Sequence, residues 1–110
     1  EHQGVGFILA DMIMRTAACR ALLYETLACA RDGIEGHYLD TIVKPYITDC
    51  TMQTCSDAVQ ILGGYGYMKE YPVERYMRNA KIFQIFGGTN QIKRKNLIKA
   101  IAGRDPMAKK

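Results

Sequence analysis

The sequence is poor in residues that interrupt regular structure. It has only 3 prolines among 110 residues and no low-complexity run, while 48% of its residues are hydrophobic. This composition is typical of an ordered globular chain and excludes a disordered tail. At this length we expect one domain, residues 1–110, near the lower size at which a single hydrophobic core is sufficient.

Long apolar runs are also missing from the sequence. No stretch is long enough to span a bilayer, and the first residues do not resemble a signal sequence. We therefore expect no membrane span, and the composition is compatible with both the mitochondrial matrix and a bacterial cytoplasm. Because the first residue is Glu1 and not Met, we expect a fragment or a processed product.

Metal-binding and familiar catalytic patterns are absent as well. The four cysteines are Cys19, Cys29, Cys50 and Cys55. They form no Cys-x-x-Cys pair, and the two histidines, His2 and His37, are far from them in sequence, so a zinc site is not expected. No Ser-His-Asp set or P-loop can be assembled. The cysteines indicate small apolar positions in a reducing compartment.

Charge is present but unevenly placed. Residues 1–68 carry 8 acidic and 4 basic side chains, whereas residues 69–110 carry 3 acidic and 11 basic ones. A basic half suggests an anionic partner. A phosphate-bearing cofactor fits at least as well as nucleic acid, because the basic residues form no recognisable nucleic-acid motif. A solvated cationic face remains the simplest explanation for any single lysine.

Helical periodicity dominates the rest of the chain. The predicted helices run from Glu1 to about Arg31, from near Asp40 to Leu62, from Pro72 onward, and from the residues after Thr89. Pro45 predicts either a kink in the second helix or a true start at Lys44 and Pro45. Residues 63–71, with three glycines and three tyrosines, are expected to form a loop. Four helices with short connections predict an all-α, up-down-up-down four-helix bundle.

One helix start is notable for its composition. The run Gln84-Ile85-Phe86-Gly87-Gly88-Thr89-Asn90-Gln91-Ile92 brings two glycines and two capping residues onto a basic helix. Free N–H groups in a first helical turn favour a phosphate or carboxylate, and glycines let a ligand approach the backbone. By itself such a turn more often only caps a helix.

A second glycine loop and two further blocks give this turn a context. The loop is Gln60-Ile61-Leu62-Gly63-Gly64-Tyr65-Gly66-Tyr67, and the blocks are Glu1-His2-Gln3 and Leu9-Ala10-Asp11-Met12. In this order and spacing they resemble the C-terminal helical domain of acyl-CoA dehydrogenases. The resemblance runs from Glu1 to about Gly103.

The resemblance implies an FAD site shared between subunits and a fatty acyl-CoA thioester as substrate. The residues that match flavin-contacting positions of the family are His2, Gln3, Gln60, Ile61, Leu62, Gly63, Gly64, Thr89, Asn90 and Gln91. Of these, Gln60 to Gly64 would approach the FAD held chiefly by a neighbouring subunit. Thr89 and Gln91, with Asn90 between them, would hold the ADP portion in the same subunit. Gly88 matches a substrate-contacting glycine.

The resemblance leaves the catalytic base open. In many family members the base is a glutamate immediately before the Gly-Thr pair, and Gly87 occupies that position here. Glycine cannot accept a proton, so no catalytic residue is assigned. Long-chain and isovaleryl-type members carry the glutamate on an earlier helix, so we expect the base upstream of Glu1. The alternative is an activity that has been lost or redirected.

The resemblance also implies what lies outside these 110 residues. The family's N-terminal helical domain, its β domain and the first helix of this bundle are absent, so we expect the chain to be inactive alone. Electron-transferring flavoprotein and a homo-oligomeric arrangement, dimer or tetramer, are the implied partners. The competing hypothesis is a non-catalytic helical interaction module derived from the same fold.

Overall fold

The protein is entirely helical over the residues that the structure describes. A computed structural model describes residues 2–34 and 38–104. The helices are α1 (Gln3–Arg31), α2 (Leu39–Leu62), α3 (Gly64–Tyr67), α4 (Val73–Ile85) and α5 (Asn90–Arg104). No strand occurs in these two ranges, and the predicted all-α bundle is confirmed. Glu1, His37 and the Lys109-Lys110 tail, which the sequence interpretation also used, lie outside the described residues.

Helix α2 is the centre of the arrangement. Helices α1, α3, α4 and α5 all pack against it. Helix α1 runs antiparallel to α2, because Arg15 pairs with Asp57 while Cys19, further along α1, meets Cys50, earlier in α2. The assembly is elongated, with principal extents of 57 × 27 × 26 Å.

The helix ends follow local chemistry, apart from one alternative that the sequence left open for α2. Helix α2 begins at Leu39 and continues through Pro45, so a start at Lys44 and Pro45 is wrong. The carbonyl of Pro45 accepts a hydrogen bond from the Thr48 hydroxyl at 3.3 Å, and Pro45 itself is buried. After α1, Gly33 takes a left-handed backbone with φ 64°, as glycines after Arg31 predict.

The predicted loop at residues 63–71 contains the short helix α3. Gly66 makes this turn possible, because a Cβ there would lie 2.5 Å from the carbonyl oxygen of Val59. The chain is therefore pressed against the last turns of α2 and coils instead of extending. Helix α4 begins at Val73, one residue after the predicted start at Pro72, which is the N-cap; this difference is within the usual uncertainty of a helix boundary.

Few side chains are buried between the helices. The large apolar side chains of the described residues are at least partly exposed, and Ile13 and Ile98 are 68% and 67% exposed. An open apolar groove of about 680 Å³ runs along α1 and includes Leu9. Apolar surface of this extent indicates faces that pack against other protein. None of the helices in the described part of the chain is long and apolar enough to cross a membrane.

Candidate functional site

The turn between α4 and α5 has an unusual backbone. Helix α4 closes with a hydrogen bond from the Phe86 N–H to the Ile82 carbonyl, at 3.0 Å. Gly87 and Gly88 then follow with φ 65° and 83°. Side chains rarely adopt this left-handed conformation, so the backbone at both positions favours glycine. A Cβ at Gly87 would meet nothing within 4 Å, so the space beside it is open to a ligand.

Thr89 starts α5 as a helix cap. Its hydroxyl accepts the N–H of Ile92 at 3.2 Å, and its carbonyl accepts the N–H of Lys93 at 3.1 Å. This satisfies the third backbone donor of the helix in the usual manner of a threonine cap. The capping function expected of this turn is therefore present.

The backbone donors before Ile92 are not satisfied. The N–H groups of residues 87–91 donate to no acceptor in the described part of the chain. Free backbone donors at the positive end of a helix dipole favour an anion. The turn can therefore both cap α5 and bind an anion.

Asn90 faces inward, which the sequence alone did not indicate. Its side chain is buried, with 2% of the residue exposed. The amide nitrogen donates to the Thr48 hydroxyl at 2.8 Å and to Asp49 Oδ1 at 2.7 Å, while the amide oxygen accepts Lys44 Nζ at 2.7 Å. Each of these partners belongs to α2. The side chain of Asn90 therefore fixes α5 to α2, and only its backbone N–H is available to a ligand.

Asp49 on α2 is the common partner of side chains on α4 and α5. Its carboxylate accepts hydrogen bonds from Asn90 and Arg94 on α5 and from Gln84 Nε2 on α4, the last at 2.7 Å. Burial raises the pKa of Asp49, but the bonds from Arg94, Gln84 and Asn90 lower it more, so the pKa lies below its usual value. Asp49 therefore stays ionised at neutral pH.

The second glycine loop lies at the opposite end of α2. Gly63 ends the helix with φ 57° and ψ −134°, a conformation that favours glycine. Neither Gly63 nor Gly64 would bring a Cβ within 4 Å of another group of this chain. Gln60, Leu62 and Gly64 are exposed, so the loop presents bare backbone outward.

His2 and Gln3 lie at the same end of the molecule as this loop. Helices α1 and α2 are antiparallel, and the Arg15–Asp57 pair fixes their register. At 1.5 Å of rise per residue, the start of α1 projects roughly 10 Å beyond the end of α2. Both residues are exposed there. The predicted contact residues thus form two groups, not one.

We name the two groups by their position. The turn group consists of Gly87, Gly88, Thr89, Asn90 and Gln91. The loop group consists of His2, Gln3, Gln60, Ile61, Leu62, Gly63 and Gly64. The turn group contacts α2 at residues 44–49, so about 25 Å of helix separates it from Gly63. One chain therefore presents the two groups to different places.

The four cysteines take no visible part in either group. All four are free thiols, and Cys29 is buried. Burial, together with a hydrogen bond from the Cys19 thiol to Cys50, raises the pKa of Cys19 to about 11. Such a thiol is mostly protonated at neutral pH, which agrees with the reading of these cysteines as small apolar residues.

Comparison with known proteins points to one family. The model of the acyl-CoA dehydrogenase C-terminal domain matches residues 1–102. An acyl-CoA dehydrogenase of Bacillus subtilis is 43% identical over 102 residues, which is 93% of this chain and 27% of that protein. A cyclohexane-1-carbonyl-CoA dehydrogenase of Geobacter metallireducens is 45% identical over 94 residues, 86% of this chain and 25% of that protein.

Solved structures give the same result. The butyryl-CoA dehydrogenase of Megasphaera elsdenii superposes with a TM-score of 0.86 at 40% identity and covers 92% of this chain and 26% of that chain. A structure described as the FAD complex of PigA superposes with a TM-score of 0.84 at 27% identity, covering 90% of this chain and 26% of that chain. The present chain thus spans about a quarter of the length of the proteins that it matches.

Proposed function

Because the chain belongs to the acyl-CoA dehydrogenase family and matches its C-terminal domain, we propose that it supplies part of the FAD site and of the oligomer interface of such an enzyme. The whole protein would dehydrogenate acyl-CoA thioesters between the α and β carbons. The dehydrogenases of thioesters among its relatives support this substrate class.

The turn group fits the phosphate-bearing part of FAD. Its free N–H groups are donors for a pyrophosphate, and the open space at Gly87 admits one. Thr89 and Gln91 would contact the ADP portion, and Gly88 would lie against the substrate. We assign Asn90 a supporting part, because its side chain is occupied by α2.

The separation of the two groups is the observation that carries the proposal. The loop from Gln60 to Gly64 lies about 25 Å along α2 from the turn group, and His2 and Gln3 lie roughly 10 Å further. We therefore propose that the loop group contacts the FAD of a second subunit. The exposed apolar faces of α1 and α5 supply the surface for such an assembly, dimer or tetramer.

The proposed reaction needs a hydride acceptor and a catalytic base that this chain does not itself supply. When bound, FAD supplies the acceptor for the β hydrogen. A base must remove the α proton, and Gly87 has no side chain that could do so. We propose that the base lies on a helix upstream of Glu1, and that the 110-residue chain alone is inactive.

The cellular setting follows from the family and stays part of the proposal. Electrons would leave through an electron-transferring flavoprotein. One structural neighbour, 42% identical and with a TM-score of 0.86, comes from a structure described as the electron transferring flavoprotein of Acidaminococcus fermentans. The bacterial relatives favour a bacterial cytoplasm, with the mitochondrial matrix as the alternative.

The test is the visible absorbance spectrum of the full-length protein before and after anaerobic addition of a panel of acyl-CoA thioesters. We expect a bound flavin that is bleached by at least one thioester, which would also identify the acyl group. A bound flavin that no thioester reduces would contradict the activity and favour a lost base. A protein without flavin would favour a helical interaction module.

A further inference from the structure

Lys44 makes two contacts to the turn group. Its ammonium donates to the Gly88 carbonyl at 2.9 Å and to Asn90 Oδ1 at 2.7 Å. The two acceptors lie on either side of Thr89. A single side chain thus bridges the flexible glycine pair and the first residue of α5.

We propose that Lys44 is a positioning residue for FAD: by holding the Gly88 carbonyl against α2, it keeps the N–H groups of the turn free for the cofactor's phosphates. This inference rests on the proposed function. Lys44 acts through the backbone of the turn and is not itself assigned a contact to FAD.

The need for a clamp follows from the two glycines. Gly87 and Gly88 both have left-handed backbones, and a Cβ at Gly88 would touch only the end of the Lys93 side chain, at 3.6 Å. Glycines have the largest conformational freedom of any residues, so an unclamped turn would adopt several shapes. Ordering it on binding would then weaken affinity, and a preformed turn avoids that loss.

The environment of Lys44 supports this assignment. Lys44 forms no ion pair with any carboxylate of the described residues. Its charge is therefore not neutralised there and adds to the positive end of α5. Meanwhile Asp49 accepts the amide nitrogen of Asn90, which turns the amide oxygen towards Lys44. The side chain of Asn90 thus sits between a cation and an anion in one orientation.

The experiment uses the full-length protein and compares Lys44→Met with Lys44→Arg and with Lys99→Met. The first variant removes the donors and keeps the aliphatic stem, and the second retains a cationic donor. Lys99 is exposed on α5 and makes no hydrogen bond or ion pair within residues 2–34 and 38–104, so Lys99→Met controls for loss of one positive charge. FAD is titrated into each apoprotein, and thermal unfolding of the apoprotein is recorded in parallel.

We expect Lys44→Met to weaken FAD binding about 10-fold, the loss associated with one charge-assisted hydrogen bond at an exposed site. Lys44→Arg should recover most of the affinity, and Lys99→Met should bind as the wild type does. The midpoint of apoprotein unfolding should fall in Lys44→Met, because the buried amide oxygen of Asn90 loses its donor. Affinities are therefore compared at a temperature at which every apoprotein is folded, so that this loss of stability does not itself weaken FAD binding.

Three results would overturn the role of Lys44. These are unchanged affinity in Lys44→Met, equal losses in Lys44→Met and Lys99→Met, and a loss of affinity that disappears at temperatures at which every apoprotein is folded. Normal FAD binding by the wild type and by Lys44→Met alike would remove only this role. A wild-type protein that binds no FAD would remove the proposed function as well.

Discussion

Replacing Gly66 with alanine should destabilise the protein, although the residue lies in a segment that reads as a loop. The new Cβ would lie 2.5 Å from the Val59 carbonyl oxygen and 3.0 Å from both Val59 Cα and Leu62 Cβ. Two of these atoms belong to the backbone of α2 and cannot rotate away. Either α3 or the last turns of α2 must therefore move.

The magnitude follows from two opposing effects. Overpacking of this kind costs about 1 to 3 kcal/mol. Replacing glycine by alanine also restricts the unfolded chain, which returns about 0.4 to 1 kcal/mol. For Gly66→Ala we therefore expect a net loss of roughly 1 to 2 kcal/mol in the free energy of unfolding.

The neighbouring glycine supplies a matched control. Gly64 would bring no Cβ within 4 Å of another group, and its φ is not positive. Gly64→Ala should leave the apoprotein as stable as the wild type or slightly more stable, by about 0.4 to 1 kcal/mol. Because the space at Gly64 is proposed for FAD of another subunit, Gly64→Ala should weaken FAD retention, and Gly64→Val should weaken it further.

Chemical denaturation of the full-length apoprotein measures the stability of each variant, and apoprotein is required because bound FAD would itself stabilise the fold. A Gly66→Ala variant as stable as the wild type would refute the steric argument. Full FAD retention by Gly64→Val would remove the proposed contact of that loop.

Two further predictions concern the turn group. Gly87→Glu would place a carboxylate at the base position common in the family, but with φ at 65° the new side chain should cost about 1 to 2 kcal/mol in backbone strain. Steady-state kinetics should show weaker turnover, most of all with bulky or long acyl groups. Unchanged kinetics across acyl lengths would count against a base upstream. The second prediction concerns Asp49. Burial raises the pKa of this carboxyl group, but hydrogen bonds, among them the one from Arg94, hold the pKa below its ordinary value of 3.8. The ionised Asp49 therefore stabilises the fold above pH 3.8, and this stabilisation is lost as the pH falls through the lower pKa of the folded state. Thermal midpoints measured between about pH 6 and pH 3 should therefore fall more steeply in the wild type than in Asp49→Asn. Identical slopes would contradict the assignment.

The helical fold could be read from the sequence because local signals agree with it. Glycines after Arg31, proline before Val73 and threonine before Asn90 mark helix boundaries to within about one residue. The possible helix start at Lys44 and Pro45 was wrong, since α2 begins at Leu39 and continues through Pro45. The periodicity of apolar residues shows which residues share a helix face. It does not show whether the surrounding structure tolerates the backbone hydrogen bond that a proline inside a helix removes.

The site was predictable only in part, for a different reason. The glycine pair and Thr89 are adjacent in sequence, so their joint role in a turn is visible there. Lys44 and Asp49 lie more than 35 residues before this turn, and only the packing of α2 against α5 brings them to it. Asn90 looked like a surface capping residue for the same reason, because its partners come from a distant segment.

The sequence also could not show which glycines of the second glycine loop tolerate a side chain. Gly63, Gly64 and Gly66 stand within four positions of one another, yet their constraints differ. At Gly63 the positive φ favours glycine, and at Gly66 there is no room for a Cβ. At Gly64 neither constraint applies within this chain. The distinction depends on where Val59 lies, which is a tertiary fact.

The length of α2 decides which subunit is affected by a mutation. In a dimer with the proposed arrangement, a change in the turn group damages the cofactor site of its own subunit, whereas a change at Gly64 damages the site of the neighbour. A mixed dimer of two defective subunits, one altered at Gly64 and the other at Thr89, would then hold one site with both defects and one with none. Two inactive variant proteins would therefore regain activity when they exchange subunits. Two variants altered at the same end of α2 would not complement each other in this way.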